Sequence, residues 1–101
     1  MLDPIHPGEI LKEEFMTPYG LSANKLAQAL SVPPNRITKI VSGERGVTAD
    51  SALRFAAAFG TTAEFWTNLQ DHYNLEIAKQ EKRPAIKLLK IGAASQTLNT
   101  G

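Results

Sequence analysis

ANKLAQALSVPPNRITKIVS, residues 23–42, decides the fold of this 101-residue chain. Two short helical periods flank a turn at Ser31-Val32-Pro33, with apolar residues at the spacing two steeply crossed helices need. Leu26 and Leu30 lie one turn apart on the first helix, and Ile37 and Ile40 line the inner side of the second. Val32 fills the turn, and Ala27 is small enough to let the helices approach. This is the helix-turn-helix pattern, with one departure: Ser31 stands where glycine is common. An ordinary αα-hairpin would pack in the same way, so the outward face must separate the two. That face carries Asn35, Arg36, Thr38, Lys39 and Ser42, with no acid among them.

A helix presenting such an edge suits the major groove of DNA, where its N-terminal residues come nearest the bases. Pro34 opens the helix at that end. Asn35 is expected to pair bidentately with adenine and Arg36 with guanine. Thr38 is expected against a thymine methyl or a phosphate, and Lys39 on the backbone. Helix N-termini favour anions, so Ser22, Asn24 and Lys25 at the start of the preceding helix are expected phosphate contacts, as is Arg45 in the following loop. The charge distribution agrees. Net charge is only +1, but residues 1–21 carry Asp3, Glu9, Glu13 and Glu14 against Lys12, whereas residues 22–46 carry Lys25, Arg36, Lys39 and Arg45 against Glu44.

Working outward, turn signals cut the chain into five helices and a tail. The first is expected from Pro7, which suits an initial turn, to Thr17, with Pro18 and Gly20 as stops and Ile10, Leu11 and Phe15 inward. Ser22 caps the second, from Ala23 to Leu30. The third runs from about Pro34 to Gly43. The fourth follows Thr48 as cap and stops at Gly60; its ADSALRFAAAF is apolar nearly all round, which predicts a buried central helix. Thr61 and Glu64 read as a capping box for a fifth helix, from about Thr62 to Ala78. Trp66, Leu69, Tyr73 and Ile77 form one stripe on it, widened by Phe65, and are the expected homodimer interface. AIKLLKI (85–91) reads as a short strand or a helix extension, and AASQTLNTG after Gly92 as disordered. No stretch shows sustained strand alternation, so the fold class is all-α.

Other classes find little support. There is no cysteine, and His6 and His72 do not make a metal pair or a catalytic set, so neither an enzyme nor a cofactor or metal site is expected. Glu13 and Glu14 are adjacent and diverge by about 100° on a helix, which excludes paired carboxylate chemistry. A protein-interaction adaptor would show apolar residues on the outer face of the third helix. No apolar run approaches the ~20 residues of a membrane helix, and MLDPIHPGEIL lacks the pattern of a signal peptide. The chain reads as soluble and cytoplasmic.

HPGEILKEEF and LSANKLAQALSVPPNRITKIVSGERGVTADSALRFAAAFGTTAEFWTNLQDHYNLEIA together resemble the HigA (VapI) antitoxins of the lambda-repressor-like, XRE-type helix-turn-helix class. The likeness spans about residues 5–80, and HPGE, SGERGVTADSALR and AEFWTNLQ are specific as a set. The resemblance implies a compact five-helix domain that forms a homodimer on a palindromic operator in its own promoter. It further implies neutralisation of a HigB-type toxin, an mRNA-cleaving ribonuclease; solitary regulators without a toxin share the same pattern. The expected organisation is a DNA-binding domain over residues 1–80, including the dimerisation helix at about 62–78, followed by a partly disordered tail over residues 81–101.

Overall fold

A computed structural model describes residues 3–90. Its chain order is α1 (Pro7–Ile10), α2 (Ala23–Leu30), α3 (Pro34–Ser42), α4 (Ala49–Phe59) and α5 (Ala63–Gln80), with no strand among the described residues. His6 caps α1, its Nδ1 accepting the Gly8 N–H at 2.9 Å. The helix expected from Pro7 to Thr17 does not stay regular: it widens into a π segment (Leu11–Met16), then tightens into a 3-10 turn (Thr17–Tyr19). Pro18 supplies the reason, since it has no N–H and its ring crowds the carbonyl four residues back. The backbone of α1 lies directly on α3. A Cβ on Gly8 would overlap the Ile40 carbonyl, so only glycine fits that crossing.

The helix-turn-helix pair forms where the pattern places it. Ser22 caps α2 through its Oγ, which accepts the Lys25 N–H at 3.1 Å. After Leu30 the chain turns through Ser31 in the left-handed region (φ 59°), and Val32 N–H returns to the Ala27 carbonyl at 3.0 Å. That is a Schellman closure with serine at the position glycine usually fills. Leu26, Leu30, Ile37 and Ile40 are buried and Val32 half-buried against them, together with Leu11, Phe55 and Trp66.

Two expectations about the later helices are corrected. α4 is not a fully enclosed central helix: it buries Ser51, Ala52 and Phe55, while Leu53 is 62% exposed and Ala57 and Ala58 face outward. Alanine on every side removes the contrast that marks a buried face, so the sequence overstated the burial. At α5 the cap is Thr62, whose Oγ1 accepts the Phe65 N–H at 3.0 Å, and not Thr61. The Thr61 hydroxyl is taken instead by the Trp66 indole N–H at 2.8 Å.

That bond belongs to a larger correction. Trp66, expected at a dimer interface, is 0% exposed and sits among Phe15, Phe55, Phe59 and Phe65 with ring centroids 4.9–6.3 Å apart. An indole enclosed in this way, with its N–H satisfied, is the centre of the core. Beyond α5, residues 82–90 are exposed and form neither the strand nor the helix extension considered for AIKLLKI. Pro84 disfavours helical backbone at Arg83, and no neighbouring strand is present among the described residues. Ile91 and the residues after Gly92 lie outside the described residues.

Two outcomes follow for stability. Ser31→Gly removes a Cβ from left-handed backbone and should stabilise the fold by about 1 kcal/mol, read as a higher denaturant midpoint at unchanged slope. Partial burial of His6 lowers its pKa from the ordinary 6.5, so the unfolded chain takes up the proton first. Its contribution is present above about pH 6.5 and lost as pH falls toward the folded value. His6→Asn keeps a capping side chain that does not titrate, and should flatten the fall in unfolding free energy between pH 7 and 5.

Candidate nucleic-acid interface

The outer edge of α3 exists because its inner edge is used up. Ile37 and Ile40 are fully buried, and the helix period then turns Asn35, Thr38 and Lys39 to solvent. Thr38 is exposed, and its Oγ1 donates to the Asn35 carbonyl at 3.3 Å, which commits the hydroxyl proton and leaves the oxygen as an acceptor. No hydrogen bond within the described residues engages the Asn35 amide or the Lys39 ammonium. Pro33 precedes α3 in extended backbone, and Pro34 occupies its first turn, exposed.

The other expected contacts flank this edge. Ser22, Asn24 and Lys25 are exposed at the N-terminus of α2, where the Ala23 and Asn24 N–H groups have no helical acceptor and the Lys25 N–H is taken by the Ser22 cap. Ser22 is committed as an acceptor by its cap, which leaves its proton for an incoming oxygen. Ser42 is exposed, but its Oγ lies 3.0 Å from the Lys39 carbonyl and 2.9 Å from the Glu44 carboxylate, so its proton stays within the turn. Arg45 is exposed beside it.

Arg36 departs from its expectation as a free base reader. Its Nη1 donates to Asp50 on α4, its side chain is 22% exposed, and Nε is buried with no acceptor among the described residues. Hydrogen bonds from Arg36 and then Arg54 hold the Asp50 carboxyl below the ordinary carboxylate range. The physical reason is local: Arg36 sits next to Ile37, on the flank of α3 that faces α4, where a carboxylate is within reach.

Sequence reading missed three supporting features. One is Arg54, whose i,i+4 spacing from Asp50 is the signal that could have found it. The loop carrying Arg45 is pinned by Gln70, whose Oε1 accepts the Val47 N–H at 2.7 Å while Nε2 donates to Asn74 at 2.9 Å. A Cβ on Gly46 would come within 3.0 Å of that Gln70 amide, so the loop lies flat on α5. Nothing in the local sequence marks a contact 23 residues away.

The proposed interface residues on α5 do not form one exposed stripe. Phe65 is partly exposed and packs edge-on against Trp66, and Leu69 is half-buried on the core. Tyr73 is half-buried with its ring edge-on to His6 at 4.8 Å, and Ile77 is half-buried.

A helix-turn-helix family model matches residues 11–66. Virulence-associated protein I of Dichelobacter nodosus is 54% identical over 79 residues, covering 78% of this chain and 73% of the relative. A structure described as an addiction module antidote protein of the HigA family from Coxiella burnetii is 49% identical, with a TM-score of 0.73 over 83% of this chain and all of that one. The Pseudomonas aeruginosa antitoxin HigA, solved with the higBA promoter, is 47% identical with a TM-score of 0.73, covering 74% of this chain and 82% of its own. The family model's match runs from the π segment into the first turn of α5, ending at Trp66, and includes every residue of the α2–α3 pair. The chain belongs to the helix-turn-helix family, in its HigA/VapI-type branch.

Proposed function

We propose that this protein is the antitoxin of a toxin–antitoxin pair, binding a palindromic double-stranded operator in its own promoter as a homodimer and neutralising a HigB-type mRNA-cleaving toxin in the cytoplasm. The observation that carries the DNA half of this reading is the exposed, acid-free edge of Asn35, Thr38 and Lys39 on a helix anchored by Ile37 and Ile40. A relative with 47% identity bound to promoter DNA supports the same half. Kinship with HigA antitoxins supports the toxin half.

In this reading α3 enters the major groove with Pro34 and Asn35 deepest, and Asn35 reads adenine through paired hydrogen bonds. Thr38 meets a thymine methyl. Lys39, Lys25 and Arg45 neutralise phosphates, joined by Ser22, Asn24 and the α2 N-terminus. Ser42 offers only a lone pair. Dimerisation uses the outer part of α5, through Phe65, Leu69, Tyr73 and Ile77, with residues 1–80 as the working domain. A two-fold dimer places its reading helices ~34 Å apart, one turn of DNA, and couples two weak half-sites.

The decisive experiment for the toxin half is purification of the tagged chain expressed from its native operon. A small basic ribonuclease in stoichiometric amount is the expected companion; recovery of the chain alone would favour a solitary regulator. For the DNA half, Asn35→Ala should cost about 1–3 kcal/mol on the cognate site and relax preference at one base pair. Lys39→Ala should weaken binding to all duplexes and lower the salt slope by about one. Gel-shift titrations at several salt concentrations check both. Ile77→Asp should shift sedimentation toward monomer while leaving the melting temperature within a few degrees.

A further inference from the structure

Arg36, Asp50 and Arg54 form one bridge across the three helices that frame the reading edge. Asp50 Oδ2 accepts from Arg36 Nη1 on α3 and from Arg54 Nε at 2.9 Å, and Arg54 Nη1 donates to the Leu30 carbonyl at 2.6 Å. Leu30 ends α2, where carbonyls lack helical partners, so the guanidinium satisfies an orphan acceptor. The bridge therefore joins the C-terminus of α2, the first turn of α3 and the first turn of α4. Burial of Ile37 and Ile40 sets which face of α3 turns inward, but hydrophobic burial is non-directional and sets the tilt of the helix less sharply. Hydrogen-bonded charge pairs are directional and can fix it.

Asp50 complements the N-terminal dipole of α4 and pairs with Arg54 at i,i+4, but its charge works against binding DNA. Asp50 is 55% exposed and touches the helix expected to meet a polyanion, so it opposes phosphate binding. It also removes Arg36 from the set of side chains that reach outward. Both are unfavourable for affinity to DNA in general, and both are offset if the bridge holds Asn35 and Thr38 at the angle a base edge requires and Lys39 against its phosphate. Small misplacements of a recognition group are costly.

We propose that Arg36 is a positioning residue: with Asp50 and Arg54 it sets the tilt of α3, and acts on operator choice through Asn35, Thr38 and Lys39 without touching a base. This rests on α3 being the DNA-reading helix. Asp50 is then a specificity determinant that lowers non-specific binding while raising specific binding.

The test uses the full chain and a duplex selected by the wild-type protein from a random pool, alongside a scrambled duplex of the same length. Asp50→Asn is isosteric and removes a negative charge. Simple electrostatics predicts tighter binding to both duplexes; the bridge predicts about tenfold weaker binding to the selected duplex, with equal or tighter binding to the scrambled one. Arg36→Gln should weaken the selected duplex similarly, lower base preference by comparable factors across the positions α3 reads without abolishing it at any one, and add nothing further in the double variant. Melting curves confirm that each variant is folded, and Arg54→Gln provides a third arm should Arg36→Gln not fold. An Asp50→Asn protein that keeps or improves its ratio of selected to scrambled affinity overturns the proposal. So does an Arg36→Gln protein that loses preference at a single base pair, since that marks a base reader. A wild-type chain that selects no sequence overturns the DNA reading itself, and the proposal with it.

Discussion

The burial of Ile37 and Ile40 is the constraint on which the rest depends. Each removes a branched side chain from water, a gain of roughly 1.5–3 kcal/mol per residue, and each sits at full burial beneath α1 and α2. With these two inward, the helix period leaves no freedom over which residues of α3 face out. Gly8 strengthens the constraint from the opposite side, because the α1 backbone lies against the Ile40 carbonyl and would be pushed away by any side chain. The polar edge is therefore a consequence of packing. It is presented on a rigid helix whose position is set by the core, an arrangement suited to reading a fixed surface such as a groove.

The aromatic cluster performs the equivalent task for α5. Trp66 is wedged among Phe15, Phe55, Phe59 and Phe65, and its indole N–H is held by Thr61, so α4 and α5 are locked together before any second chain is considered. Gln70 carries that rigidity to the loop after α3 by accepting the Val47 N–H. Arg45 thus stands on a segment tied to α5, and the Arg36–Asp50–Arg54 bridge ties the other end of α3 to α4 and α2. α3 is held at both ends by polar contacts and in the middle by apolar ones.

Much of this was legible in the sequence, for reasons that differ by element. α2 and α3 could be placed almost to the residue because Ser22, Ser31, Pro34 and Gly43 are local signals whose physics acts within a few positions. The first helix was harder: Pro18 announced an end but not that the preceding turns would widen to accommodate it. α4 misled because alanine gives no contrast between faces. Trp66 misled in another way, since a stripe at helical spacing says only that one face is apolar and not whether it meets the core or another chain. The bridge to Asp50 was out of reach because it joins residues 14 apart in sequence, whose meeting depends on how α3 and α4 cross. Short-range chemistry could be read directly, whereas pairing across helices needed the fold.

The outer edge of α3 is the surface we propose meets DNA. Its most direct test is the amide and side-chain NMR spectrum of the isotope-labelled chain, titrated with a duplex that the protein itself selects. The largest shifts should fall on residues 34–39, including the Asn35 side-chain amide, with a second group at Ser22–Lys25 and Arg45. Saturable binding that leaves residues 34–39 unchanged, with shifts confined to α4 or α5, would contradict the account.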